Sequence, residues 1–171
     1  MNIAVNVEPA TGGLPDVDYR WDPDTDILTA TLRGRAVGEG MSGSVELTGS
    51  DGSWLVLDVS GGRIGGIEVA VWPEVRKLGA LAPPDSTEDA RITIPSRRSQ
   101  PGVAAVEVNG SIAADADRAE RTIHFRVGKP RQTRTVRIAR DILLDIDAQN
   151  HISGLWLLNV PPFPAEAEDD A

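Results

Sequence analysis

The sequence predicts an all-β, mainly antiparallel protein, and three observations support this fold class. Apolar and polar residues alternate with a period of two in several segments, most clearly in residues 27–32 and 123–127. This is the pattern of a strand with one buried face. Turn-forming Gly, Asn and Asp residues separate these segments, and signals for helices are few.

Two hairpins are predicted to form the centre of the fold. Residues 54–57 and 142–144 are apolar on both faces, which is typical of central strands. Each run leads into an Asp, a turn and a second β-rich run, at 64–72 and 152–160. Gly residues in the first turn and the Asp147–Asn150 segment in the second provide suitable turn chemistry.

The segments between the predicted strands contain one helix signal. Pro73 and Gly79 have the spacing of a helix start and stop, so we expect at most one short helix, near 73–79. The Gly-rich stretch 34–52 predicts a loop around a short strand at 45–47.

An internal repeat is visible in the sequence. Residues 57–69 match residues 144–157: in both, an aliphatic strand ends in Asp, turns, and resumes as Ile-x-Gly-(Ile/Leu). We therefore predict a first β repeat at 1–81, a linker at 82–87, a second repeat at 88–160, and a disordered acidic tail at 161–171. A small β-meander cannot bury its apolar face alone, so we expect the two repeats to pack as a sandwich or to close into one barrel.

The first repeat resembles an uncharacterised family of small bacterial β domains, a domain of unknown function. The family pattern begins Tyr-Asp-x-x-x-Asp-x-Leu and ends Leu-Asp-x-Asp-x-x-Gly-x-Ile-x-Gly-Ile-Glu, and residues 21–32 and 57–69 fit it. The second repeat departs from it at Ala116, where an aromatic residue is expected, and at Trp156, which replaces the acid found at Glu68. The resemblance implies a fold, and an antitoxin-like or other protein-binding role.

Composition excludes several classes of function. The chain has no cysteine, which excludes disulfides, thiol nucleophiles and Cys-ligated metal sites. The first nine residues lack the features of a secretory signal, and no run approaches the roughly 18 apolar residues of a membrane span, so we expect a cytoplasmic protein without membrane contact. A net charge of −9 makes nucleic acid an unfavourable partner.

The candidate catalytic and metal-binding residues have simpler interpretations as turn residues. Asp22, Asp24 and Asp26 have the spacing of calcium ligands, but Ile27 and Arg33 stand where a calcium loop needs Gly and Glu. We therefore predict no catalytic residue, no metal site and no cofactor.

The carboxylates and imidazoles near the central hairpins lead to the same prediction. Asp58, Asp145 and Asp147 are expected to cap turns rather than to form an acid–base pair. His124 is out of phase with its apolar neighbours and should point to solvent, and His151 lies in a predicted turn.

The most distinctive surface feature is a run of cations, which we predict to be the binding site. Its members are Arg126, Arg131, Arg134, Arg137 and Arg140, with Lys129 among them. Such a run suits an acidic protein or phosphates, although it is also typical of a charged strand that resists aggregation.

Three hypotheses for function follow. We favour a non-enzymatic protein-interaction module that binds a protein partner or forms a homodimer. The first alternative is a small-ligand-binding or enzymatic β-barrel with Trp21, Trp54, Trp72 or Trp156 lining its cavity. The second alternative is nucleic-acid binding through the Arg-rich segment 126–140.

Overall fold

The computed structural model describes residues 3–34, 42–95 and 103–164, with the backbone alone for 103–108. It contains fourteen strands in two sheets. In spatial order, the eight-stranded sheet consists of β1 (Asn6–Pro9), β8 (Glu88–Thr93), β12 (Thr133–Ala139), β13 (Ile142–Asp147), β14 (Ile152–Leu157), β11 (Ile123–Val127), β10 (Ile112–Asp117) and β7 (Val75–Leu78). The six-stranded sheet consists of β2 (Val17–Asp22), β3 (Ile27–Leu32), β6 (Arg63–Val71), β5 (Trp54–Ser60), β4 (Ser42–Gly49) and β9 (Val103–Gly110).

The two sheets pack as a sandwich around one aliphatic core. Leu28, Leu55 and Val69 of the six-stranded sheet and Phe125 and Leu157 of the eight-stranded sheet are fully buried in this core. Most strand pairs are antiparallel, which confirms the predicted fold class. The sheets remain separate rather than closing on each other, so the alternative of a closed barrel is wrong.

The two sheets share one strand order. The order β2-β3-β6-β5-β4 in one sheet corresponds to β10-β11-β14-β13-β12 in the other. The registers also agree, because Asp58 lies opposite Gly66 in the first hairpin and Asp145 lies opposite Gly154 in the second. This is the arrangement expected of two copies of one module, each of which buries the apolar face of the other.

Strands are exchanged between the halves. β7 follows β6 in the chain but pairs in parallel with β10 of the other sheet, and β9 pairs in parallel with β4. After β14, the chain is tied to β2 by side chains: the Tyr19 hydroxyl donates to the Leu158 carbonyl at 2.8 Å and Trp21 Nε1 donates to the Pro161 carbonyl at 2.9 Å. Neither half of the chain therefore contains a complete sheet.

The predicted helix near 73–79 is wrong. Residues 75–78 form strand β7, whose parallel pairing with Ala114–Asp117 provides the extended chain with hydrogen-bond partners. A helix of about seven residues is marginal on its own, so tertiary pairing overrides the Pro-start and Gly-stop signal. Across the described residues there is no helix, and hence none that is long and apolar enough to cross a bilayer.

The Gly-rich region also differs from expectation. The strand predicted at 45–47 is longer and spans Ser42–Gly49, because it pairs with β5 on one side and β9 on the other. Part of the predicted loop, residues 35–41, lies outside the described residues, as do residues 165–171 of the predicted tail.

Candidate functional site

The outer face of the eight-stranded sheet carries a buried polar cluster. Alternation along β11, β12, β13 and β14 points His124, Thr135, Asp145 and Trp156 away from the aliphatic core. We call these four residues the Asp145 cluster. Although the face is polar, Asp145 and Trp156 are only 6% and 5% exposed.

Asp145 is the centre of this cluster and is held by three side chains. The Thr135 hydroxyl donates to Oδ1 at 2.7 Å, and Trp156 Nε1 donates to the same oxygen at 3.2 Å. His124 Nε2 lies 2.6 Å from Oδ2, and the His124 ring stacks on the Trp156 indole with 3.9 Å between ring centroids. A buried carboxylate is stable only when its oxygens are paired in this way.

Gly154 makes room for the Asp145 carboxylate. A methyl group at this glycine would lie 2.5 Å from Asp145 Oδ2 and 2.7 Å from the Phe125 carbonyl oxygen. The carboxylate therefore occupies the space of the missing side chain, directly across from the glycine in the register. This contact explains why the second hairpin combines Asp145 with a glycine.

A second buried carboxylate lies beside the cluster and binds two cations. Asp115 is opposite His124 in the register of β10 and β11 and is 5% exposed. Its Oδ1 accepts a hydrogen bond from Arg76 Nε at 2.9 Å, and its Oδ2 lies 3.3 Å from Arg126 Nη2. The Arg76 and Arg126 side chains remain 66% and 44% exposed, so one buried acid orients two exposed guanidinium groups.

The chemistry of the Asp145 cluster does not match that of a nucleophile and its base. In such a pair the hydroxyl donates to the imidazole, whereas here the Thr135 hydroxyl donates to the carboxylate. The interactions among the four side chains satisfy Asp145 and fix their orientation. We interpret the cluster as a rigid polar platform.

The predicted arginines do not form one surface. Arg131 pairs with Asp147 at 2.7 Å and donates to the Val127, Lys129 and Ile152 carbonyls, which fixes the loop between β11 and β12. Arg140 lies in the turn between β12 and β13 and pairs with Asp16 at 3.2 Å. Arg137 donates to the Arg140 carbonyl. Arg134 is exposed and has no ion-pair partner among the described residues. Of the five, only Arg126 and Arg137 share the outer face with the Asp145 cluster.

The structure places the other candidates as follows. Asp147 caps its turn by accepting from the backbone N–H of Gln149 and of His151, as expected. Asp145 does not cap a turn, so that expectation is wrong. His124 lies on the outer face as its phase predicts, but its side chain is only 14% exposed and is not open to solvent. The signal that sequence reasoning misses is the coincidence of Asp, Gly, His and Trp on one face of the sheet.

The Asp22–Asp26 string forms the turn between β2 and β3. The Asp22 carboxylate accepts the backbone N–H of Asp24 at 3.0 Å, and Asp26 has a left-handed φ of 60°. Both are ordinary features of an Asp-rich turn. In the described ranges, no group of three or more potential metal ligands is present.

An aromatic cleft opens at one end of the sandwich. Trp21 and Trp72 stack with 5.7 Å between ring centroids, and Phe163 meets Trp21 edge-on at 5.2 Å. The cleft has a volume of about 490 Å³, and Ala116 and Glu120 of the opposite sheet also line it. Of the other two tryptophans, Trp54 is 38% exposed on the six-stranded sheet and Trp156 belongs to the Asp145 cluster.

Comparison with known proteins gives no relative. No protein-family model matches the chain, and a search of curated proteins finds no match. The resemblance to the small bacterial β-domain family therefore stays a prediction.

Proposed function

We propose that the chain is a non-enzymatic protein-interaction module that binds an acidic segment of a partner protein through the outer face of the eight-stranded sheet. One observation carries this proposal: buried Asp115 holds the exposed guanidinium groups of Arg76 and Arg126 side by side. The antitoxin-like role implied by the family resemblance is one form of such a function.

The charges at Asp115 favour a carboxylate ligand. Two guanidinium groups share one carboxylate, which leaves this part of the face with a net positive charge in a chain of net charge −9. Each guanidinium carries five N–H donors, and Asp115 engages only a minority of them. Planar guanidinium groups bind carboxylates with two parallel hydrogen bonds, and a fixed pair of them loses little entropy on binding.

The Asp145 cluster supports the same face. It lies next to Asp115, because Trp156, His124 and Asp115 occupy successive strands in one row of the register. The buried hydrogen bonds of Asp145 hold the two stacked rings rigidly. An acidic peptide would therefore meet the exposed guanidinium groups on a sheet face whose buried rings are held in place.

The two edges of the eight-stranded sheet are less suited to binding a partner strand. β1 has four residues and ends in Pro9, and β7 has four residues that include Arg76 and Lys77. Short, charged or proline-containing edges block strand addition. These two edges favour binding at the face of the eight-stranded sheet rather than at its edges.

The test measures binding of a defined acidic probe. Fluorescein-labelled hexaglutamate is titrated with the protein at low salt and followed by fluorescence anisotropy. In Arg76→Gln/Arg126→Gln the affinity should fall about tenfold or more, because each lost charged contact is worth about 1 kcal/mol. Arg33→Gln is the matched control, since its side chain is also 66% exposed but pairs with Asp18 on the other sheet.

Two outcomes would contradict the proposal. If Arg33→Gln weakened binding as much as the double substitution, the probe would be responding to overall charge. If labelled oligothymidylate bound more tightly than hexaglutamate and with a steep salt dependence, the face would be a nucleic-acid site.

Because Asp115 loses its partners in the double variant, urea unfolding must first show that the variant is folded. The double Arg→Lys variant keeps both charges and provides a second measurement, with a smaller loss expected because lysine cannot form the paired hydrogen bonds.

A further inference from the structure

We propose that the aromatic cleft is a second, independent binding site and that it takes a small organic cation with an apolar or aromatic body. The cleft lies between the two sheets, away from the outer face where Asp115 lies. Its volume of about 490 Å³ is in the usual range for small-molecule sites, roughly 300–1,000 Å³.

The tryptophans present ring faces rather than hydrogen-bond donors. Trp21 Nε1 donates to the Pro161 carbonyl at 2.9 Å, and Trp72 Nε1 donates to the Asp26 carbonyl at 2.7 Å. Both indole N–H groups are therefore satisfied within the protein. The ligand would meet π faces and edges together with Pro161, Pro162 and Phe163, and aromatic faces attract cations.

The charges that line the cleft are negative. Asp26 and Glu120 are the charged residues among those described that line it, and no Lys or Arg is among them. Glu120 is paired with Lys77 at 2.9 Å, which offsets part of its charge. Asp26 has no ion-pair partner within the described residues. This distribution favours a cation over an anion or a neutral ligand.

The space itself results from a difference between the two repeats. Trp21 pairs with Leu28 in β2 and β3, and Ala116 pairs with Ile123 in β10 and β11, so the two residues occupy equivalent positions. Both line the cleft. An aromatic residue in one copy and alanine in the other leaves a gap of about one side chain between the sheets. Because Ala116 lines the cleft, a larger side chain at this position would extend into it.

The experiment uses benzyltrimethylammonium as the probe, with benzyl alcohol as a neutral comparator and benzenesulfonate as an anionic one. Binding is followed through the indole N–H signals of Trp21 and Trp72 in nitrogen–proton correlation spectra, assigned by Trp→Phe substitutions. We expect the cation alone to shift both signals with saturation, while Trp54 and Trp156 remain unchanged. Asp26→Asn should weaken binding several-fold, and Asp24→Asn, which removes the same charge two residues away, should have a smaller effect.

A substitution that fills the aromatic cleft tests whether the probe binds there. Ala116→Phe should reduce the affinity about tenfold or more, corresponding to the loss of a cation–π contact of about 1.4 kcal/mol. If this variant does not fold, Ala119→Leu narrows the cleft from an exposed turn instead. The proposal is overturned if the cation leaves both signals unmoved in the wild type, or if the folded, filled variant binds as tightly as the wild type. It is also overturned if benzyl alcohol or benzenesulfonate binds as well as the cation.

Discussion

Gly154→Ala should destabilise the protein much more than the equivalent change Gly66→Ala. Both glycines lie in strands, opposite an Asp, and neither has a left-handed φ, so only the available space distinguishes them. A methyl group at Gly154 would come within 2.5 Å of Asp145 Oδ2 and 2.7 Å of the Phe125 carbonyl. At Gly66 it would lie 3.3 Å from Asp58 Oδ2 and 3.5 Å from the Ala30 carbonyl.

The two expected changes in the free energy of unfolding differ because the two carboxylates differ in their freedom to move. Asp58 is exposed and can turn into water, so we expect Gly66→Ala to change the free energy of unfolding by no more than about 0.5 kcal/mol. Asp145 is buried and would lose the alignment of its bonds to His124, Thr135 and Trp156. Two or three disturbed charged hydrogen bonds correspond to about 3 kcal/mol. For a chain of this size that is a shift of about 6–12 °C in Tm.

The assay is urea unfolding at neutral pH, followed by circular dichroism for the wild type and both alanine variants. Gly65→Ala serves as a further control, because nothing lies within 4 Å of the added methyl group. Equal and small changes in the free energy of unfolding at positions 66 and 154 would refute the reasoning. They would show that the Asp145 cluster rearranges without loss of stability.

Two pH-dependent predictions concern single side chains. Burial opposes ionisation of Asp147, but hydrogen bonds from the His151 and Gln149 backbone and the pairing with Arg131 outweigh it, so the pKa of Asp147 lies below its ordinary value of 3.8. The stability that this ionised carboxylate contributes is fully present above about pH 4 and is lost as the pH falls through the lowered pKa. When Tm is measured as a function of pH, Asp147→Asn should therefore lose less stability in acid than the wild type. Identical Tm curves for the two proteins would contradict this. Burial and then the charge of Asp141 raise the pKa of Tyr19 above its ordinary value of 10.0. The folded state therefore keeps a proton that the unfolded state releases, and stability falls as the pH rises above 10. Tyr19→Phe should remove that alkaline loss at a cost of about 1 kcal/mol at neutral pH, measured by urea unfolding at pH 7 and pH 11; an unchanged alkaline slope would contradict the assignment.

The sequence was sufficient for the parts of the fold that depend on local pattern. Alternation in residues 27–32 and 123–127 identified β3 and β11, and the matching Asp–turn–Gly segments identified the two central hairpins. It was not sufficient for β7, because a four-residue strand is determined by its pairing with β10, which is distant in sequence. The same limitation applies to the choice between a sandwich and a barrel, which depends on how the sheets meet.

The candidate site was predicted less well than the fold. The Arg run appears continuous in sequence, but the loop at Arg131 and the turn at Arg140 take its members to separate places, each with its own acidic partner. Arg76 was not predicted at all, since it joins Arg126 only through the pairing of β7 with β10. The phase of His124 in its strand predicts that the side chain points to solvent, which is correct for its direction but not for its exposure. A partner on a neighbouring strand cannot be inferred from alternation.

The exchange of strands determines how the chain can be divided. A fragment that ends after β7 would carry a strand whose partner, β10, is missing, and a fragment that begins at β8 would carry β9 without β4. Each fragment would expose an apolar sheet surface and an unpaired strand edge, and would precipitate or associate when produced alone. Produced together, the pieces hold complementary strands and should reassemble, so a break between β7 and β8 makes this protein a natural candidate for a two-fragment reconstitution system.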